Sequence, residues 1–241
     1  MKFRRNILVI LYFITLLIYG SISVSATDTV FVTETMSDNE ISHFLSYTDI
    51  RVLNFEPDKD SIECFDVNKN NMVALGFSDS EEKTICVYTS EGIFVYGYKF
   101  NCMGSFYLDW DENNIIVYSV RGDIAFVVSE DGDIEDIFEI KNTQENHYHW
   151  RNYSTSTKCT VGNNEYSLRN NMGIFNFFAS SYSQLVLTYS DGSTRIIYDV
   201  NQNQILTYIV RILLVVLLYI FTILFVIKKR KGKQINQGTV L

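Results

Sequence analysis

The chain has 241 residues, 47% of them hydrophobic and 15% aromatic, with four cysteines, one proline and a formal net charge of −8. That average conceals unlike parts: all 28 acidic residues fall within residues 27–204 beside only 11 of the 20 basic ones, so this stretch carries −17. Such a surface repels phosphate backbones and anionic bilayers, which excludes nucleic acid as a partner and suits cations or basic partners, or serves only as a solvating coat.

Residues 1–26 open with Lys2, Arg4 and Arg5, continue through the apolar "ILVILYFITLLIYGSISV" and end in the small residues Val24-Ser25-Ala26. A basic start, an apolar stretch and small residues at a cleavage position define a secretory signal peptide, with an uncleaved anchor as the alternative. The next segment, residues 27–60, holds two strand-like runs, "DTVFVT" and "IRVLNF", which could begin a further sheet or supply closing strands to one.

From residue 62 onward the pattern predicts strand after strand and no helix. Runs of Ile, Val, Phe and Tyr are punctuated by Asn, Asp, Ser and Gly, and they fall into three units, residues 61–100, 105–140 and 165–200. An Asn pair stands before the second strand of each: Asn70-Asn71, Asn113-Asn114 and Asn170-Asn171. An acidic residue and a glycine stand before the fourth: Glu91-Gly92, Asp131-Gly132 and Asp191-Gly192. Asn tolerates left-handed backbone angles and Gly adopts them freely, so both suit hairpin connections. Each unit is therefore predicted to be a four-stranded antiparallel meander, the third including "MGIFNFFA" as a strand. Between the last two units, residues 141–164 break the rhythm and read as a long loop or a degenerate strand pair.

The units "FDVNKNNMVAL" and "ICVYTSEGIFVYGYKF" resemble blades of six-bladed β-propellers of the NHL-like or TolB-like kind, closely over residues 61–140 and loosely over 165–200. The resemblance implies an all-β propeller-like domain over residues 27–204. About 180 residues at roughly 40 per blade supply three to four blades, so the domain is expected to be small, open or incomplete. Open sheet edges invite self-association or a covering partner. A fold shared by so many functions implies no chemistry of its own.

Residues 205–227, "ILTYIVRILLVVLLYIFTILFVI", are long and apolar enough to cross a bilayer as a helix, with Arg211 close enough to one end for its stem to reach the headgroups or to pair with another membrane helix. Residues 228–241 follow as a short tail opening with Lys228, Lys229, Arg230 and Lys231. A basic flank marks the cytoplasmic side and can also hold anionic lipid, so the domain is expected outside the plasma membrane on a single span.

Several residues are candidates for chemistry. Asp66, Asn68 and Asn70, and likewise Asp109, Asp111 and Asn113, place oxygen ligands at alternate positions, as the first half of a calcium loop does. The twelfth positions are Phe77 and Val120 where a bidentate Glu belongs, so turn stabilisation by the Asp and Asn side chains is the competing account. His147 and His149 would share one face of an extended segment and could begin a zinc or copper site. Trp110, Trp150 and the surrounding tyrosines suggest either an aromatic binding surface or inter-sheet core. Cys64, Cys86, Cys102 and Cys159 permit two disulfides in three connectivities, or buried free thiols. No catalytic signature appears among the hydrolase, nucleotide-binding and metalloprotease motifs. The reading is a non-catalytic binding or sensing domain held at the membrane and engaging a protein or small ligand. The alternatives are a tethered envelope hydrolase and an accessory subunit of a membrane complex.

Overall fold

The structure is a computed structural model that describes residues 29–237, with side chains up to residue 225. The predicted signal segment, residues 1–26, lies outside the described residues. The chain is mostly β, in three antiparallel sheets of four or five strands, followed by one apolar C-terminal helix. Among the described residues the sheets do not form a closed propeller.

Each sheet is built on a meander. The first uses β3 (Ile62–Val67), β4 (Val73–Asp79), β5 (Glu82–Tyr88) and β6 (Phe94–Asn101). The second uses β7 (Phe106–Asp111), β8 (Asn114–Ser119), β9 (Ile124–Val128) and β10 (Ile134–Ile140). The third uses β11 (Lys158–Val161), β12 (Asn164–Arg169), β13 (Gln184–Thr188) and β14 (Thr194–Asp199). The two strand-like runs of residues 27–60 form no sheet of their own. β1 (Thr33–Thr35) adds antiparallel to β10, and β2 (Arg51–Val52) adds to β6. Two edges are thereby capped by strands of three and two residues, too short to template further pairing well. Between them runs α1 (Asp38–Thr48), whose Phe44 ring packs 5.2 Å from Phe126.

The first sheet is the middle layer, and its alternation divides two cores. Val73, Leu75, Phe77, Cys86 and Tyr88 face the third sheet, where they meet Tyr166, Leu185 and Tyr198. Ala74, Ile85, Val87 and Tyr98 face the second sheet and its Phe106, Val117 and Phe126. Successive strand residues point to opposite faces, so burial on both sides yields the nearly unbroken apolar runs of β4 and β5. At Gly76 the first two sheets approach closely: a Cβ there would stand 2.5 Å from Cys64 Sγ of its own sheet and 2.8 Å from the Phe106 ring. The first and third sheets are also stitched by a backbone bridge, Ile62 N–H to Tyr182 O at 2.8 Å and Tyr182 N–H to Ile62 O at 2.9 Å.

Residues 141–164 are neither a loop nor a strand pair. They contain α2 (Gln144–Thr155), opened by Thr143, whose hydroxyl accepts the Asn146 N–H, and then β11. α2 covers the outer face of the second sheet. Phe31 is clamped there between the Tyr118 and Trp150 rings, at centroid distances of 4.8 and 4.5 Å. The third unit differs from expectation too. "MGIFNFFA" forms a short 3₁₀ turn, Gly173–Phe178, and no strand, so β11 supplies the fourth strand of that sheet. All four cysteines are free thiols, three of them buried.

β14 passes through Val200 into α3 (Asn201–Gln237). This helix is continuous for 37 residues, and its stretch Asn201–Phe225 is long and apolar enough to cross a membrane.

Candidate functional site

The first strands of the three meanders, β3, β7 and β11, run beside one another with α2 along their open side. Between them lies a cavity of about 750 Å³ lined by residues of all four elements, among them Asp66, Asp109, His149, Tyr153, Lys158 and Cys159.

Asp66 and Asp109 occupy matching places on β3 and β7, near the ends of the first strands. Both are half-buried, and burial raises the pKa of each. For Asp66 the neighbouring Asp109 carboxylate adds to this, and hydrogen bonds from the Val67 and Trp110 backbone and from Cys159 offset part of it, leaving a pKa pushed up to about 7. Two carboxyls sharing a low-dielectric wall disfavour double ionisation. Asp109 is the better supported anion, because its Oδ2 accepts hydrogen bonds from the hydroxyls of Tyr118, at 3.1 Å, and Tyr153. These donors lower its pKa against the effect of burial. Among the described residues neither carboxylate has a salt-bridge partner.

Cys159 Sγ donates to Asp66 Oδ1 at 3.6 Å. Burial and the adjacent carboxylate push this thiol up to about 12, so at neutral pH it is a protonated donor and a poor nucleophile. The cavity therefore offers paired carboxyls, tyrosine and serine hydroxyls, and the thiols of Cys64 and Cys159.

The other members of the two candidate calcium loops do not join this pair. Asn68 is buried, and its Oδ1 accepts the N–H groups of Asn70 and Met72, each at 2.9 Å, which pins the β3–β4 turn. Asn70 and Asn113 are exposed at hairpin tips, and Asp111 closes the β7–β8 hairpin opposite Asn114. Among the described residues no three His, Cys, Asp or Glu side chains converge as a metal-binding group. His147 and His149 lie on a helix and not on an extended segment, which turns them to different sides. His149 lines the cavity and His147 is exposed. Trp150 packs on Phe31, and Trp110 donates its Nε1–H to Asp66 O at 3.3 Å, so both serve packing.

Sequence reasoning singled out Asp66 and Asp109 as starts of like turns. It missed Tyr153, and it read Cys159 only as a disulfide or buried-thiol candidate and not as a partner of Asp66; both come from the segment read as irregular. No protein-family model matches this chain, and no curated protein or solved structure matches it.

Proposed function

We propose that this chain is a single-pass membrane protein whose β domain stands outside the plasma membrane, with its basic tail in the cytoplasm. Its three sheets act as an open, propeller-like stack that binds a small cationic ligand, such as a primary amine, in the cavity where the first strands meet. The single observation that carries the binding reading is the Asp66–Asp109 pair: two half-buried carboxyls with no salt-bridge partner among the described residues. A structural role alone would be met at lower cost by an apolar or amide pair. A net charge of −17 on residues 27–204 would steer cations toward such a mouth. The span reading is supported by α3, whose apolar side chains are exposed from Ile209 to Phe225, an arrangement that suits lipid and not water.

The test is thermal unfolding of the full chain in detergent against panels of amines, neutral sugars and calcium, for the wild type and for Asp66→Asn with Asp109→Asn. The reading expects stabilisation by an amine that the double variant loses. Stabilisation by calcium or a sugar alone, or an amine effect that survives the double substitution, would overturn it.

A tethered hydrolase remains the second reading, favoured by one observation. An Asp held near pH 7 beside a carboxyl better supported as an anion is the split that general acid–base catalysis uses. Turnover of a chromogenic glycoside or ester panel, abolished by Asp66→Asn, would establish it.

A further inference from the structure

The 3₁₀ turn Gly173–Phe178 carries three of the most exposed apolar side chains of the domain: Ile174 is 83% exposed, Phe177 88% and Phe178 56%. Water is a poor solvent for such a cluster, and isolated domains rarely present one without an occupant. The turn is not loose. Its Met172 N–H is bound by Asn176 Oδ1 at 2.8 Å, Asn176 Nδ2 donates to Asn170 O, and Met172 is buried. The exposed side chains are thus held outward by a built loop.

What covers them follows from where the turn is fixed. Tyr208, in the second turn of α3, stacks on Phe175 with an interplanar angle of 6° and donates its hydroxyl to Phe178 O at 3.2 Å. Tyr208 lies three residues inside the apolar run that begins at Ile205, about 4.5 Å along the helix axis. Between the turn and the helix is a groove lined by Phe178, Tyr208, Arg211, Ile212, Val215 and Val216. The apolar surface of the turn is therefore continuous with that of the helix, at the level of its outer turns. Arg211, the single charge of the run, stands in the same groove, where a guanidinium would meet lipid phosphates.

We infer that the Gly173–Phe178 turn is a second membrane contact: a footing that inserts Ile174, Phe177 and Phe178 among the lipids of the outer leaflet beside α3, with Arg211 on a lipid phosphate. The inference rests on the single-span reading, because a helix outside the bilayer would leave the turn outside too. The footing sets the orientation of the β domain on the membrane, since a single span without a second contact leaves the helix, and the domain joined to it, free to tilt in the bilayer. The strongly acidic domain gains no attraction from anionic headgroups, so an apolar wedge is the contact its chemistry allows.

The test places one tryptophan at a time in the full chain, reconstituted in phosphatidylcholine vesicles whose acyl chains carry bromine either just below the headgroups or at the midplane. The wild type, with Trp110 and Trp150 in the β domain, gives the background. Phe177→Trp is expected to lose most of its added emission to the shallow bromine and little to the deep one. Leu218→Trp, in the middle of the helix, is expected to show the reverse. Deep quenching at Leu218→Trp without quenching at Phe177→Trp overturns the footing and leaves the span intact. No quenching at either position overturns the span and the footing together. A Phe177→Trp signal that is shielded without bromine quenching, and that opens on diluting protein in lipid, assigns the turn to a second copy of the chain and also overturns the proposal.

Discussion

The side-chain amide of Asn146 holds both main-chain groups of Val32, 114 residues away: Val32 N–H donates to Oδ1 at 2.9 Å and Nδ2 donates to Val32 O at 2.8 Å. The same Nδ2 reaches Lys141 O at 2.7 Å, so one buried residue ties β1, the end of β10 and α2 together. Asn146→Ala would strand the Val32 N–H, while Val32 O keeps the Lys141 N–H and Lys141 O keeps the Thr143 N–H. Its expected cost is about 1–3 kcal/mol of unfolding free energy, because a buried polar group without a partner is expensive. Asn146→Asp keeps the acceptor but sets a buried carboxylate oxygen against Val32 O and Lys141 O, and should cost at least as much at neutral pH. Denaturant melts of the full chain in detergent decide this, and a loss below a few tenths of a kcal/mol would contradict it.

Asp66 makes stability pH-dependent in a defined direction. Its folded-state pKa is raised from 3.8 to about 7, so between these values the native state binds more protons than the unfolded chain. Stability supplied by this residue is therefore present when the carboxyl is protonated and is lost as pH rises through about 7. Asp66→Asn should stabilise the protein at pH 8 by on the order of 1–2 kcal/mol and have little effect at pH 4. Comparing the two proteins removes the acids with lowered pKa, such as Glu82, which act in the opposite sense. Equal melting temperatures at pH 8 would refute the buried-carboxyl account.

Gly92 and Gly192 occupy matching hairpins with the same φ of 82°, yet they should respond differently to a methyl group. At Gly192 an added Cβ meets nothing within 4 Å, so Gly192→Ala should cost about 1 kcal/mol, the penalty of the left-handed backbone. At Gly92 the Cβ would stand 2.6 Å from Ile197 O on the third sheet. Gly92→Ala should cost at least twice as much and loosen the contact of the first and third sheets. Parallel thermal melts of the two variants check the ordering.

The thiols give a direct test of burial and of the absence of bridges. Burial raises the pKa of all four, with Cys86 and Cys159 pushed up to about 12, so little thiolate exists at neutral pH. Native protein should react slowly with iodoacetamide, half-buried Cys159 first, and denatured protein should take up four labels without prior reduction. Fewer than four would reveal a disulfide that this arrangement lacks.

The strands were legible because both cores keep period-two alternation and the connecting glycines carry the positive φ that the hairpins require, as at Gly92, Gly132 and Gly192. The Asn pairs were less telling. Asn71 does take a φ of 60°, but in the β7–β8 hairpin Glu112 takes that role, and in the third unit the pair leads into the 3₁₀ turn. Helix α2 was illegible since "QENHYHWRNYST" has no apolar stripe; long-range partners such as Phe31 and Val32 fix it. Its one local signal was Thr143 standing three residues before Asn146, whose N–H it caps. "MGIFNFFA" misled because its aromatics face outward, so hydrophobicity there reports an environment and not a strand. The pairing of Asp66 with Asp109 depends on how the first two sheets stack, a non-local fact that spacing along the chain does not contain.

No spacer separates sheet from helix. Val200 is buried and bonded to Ser183 O at 2.9 Å, and Asn201 accepts from Ser183 Oγ at 2.5 Å and from Asn171 N–H at 3.2 Å while its own N–H is held by Asp199. The third sheet and the 37-residue helix, about 55 Å long, are consequently joined without slack. A displacement of the helix's first turns is passed straight to β14 and so to the sheet whose outer strand, β11, forms one wall of the cavity.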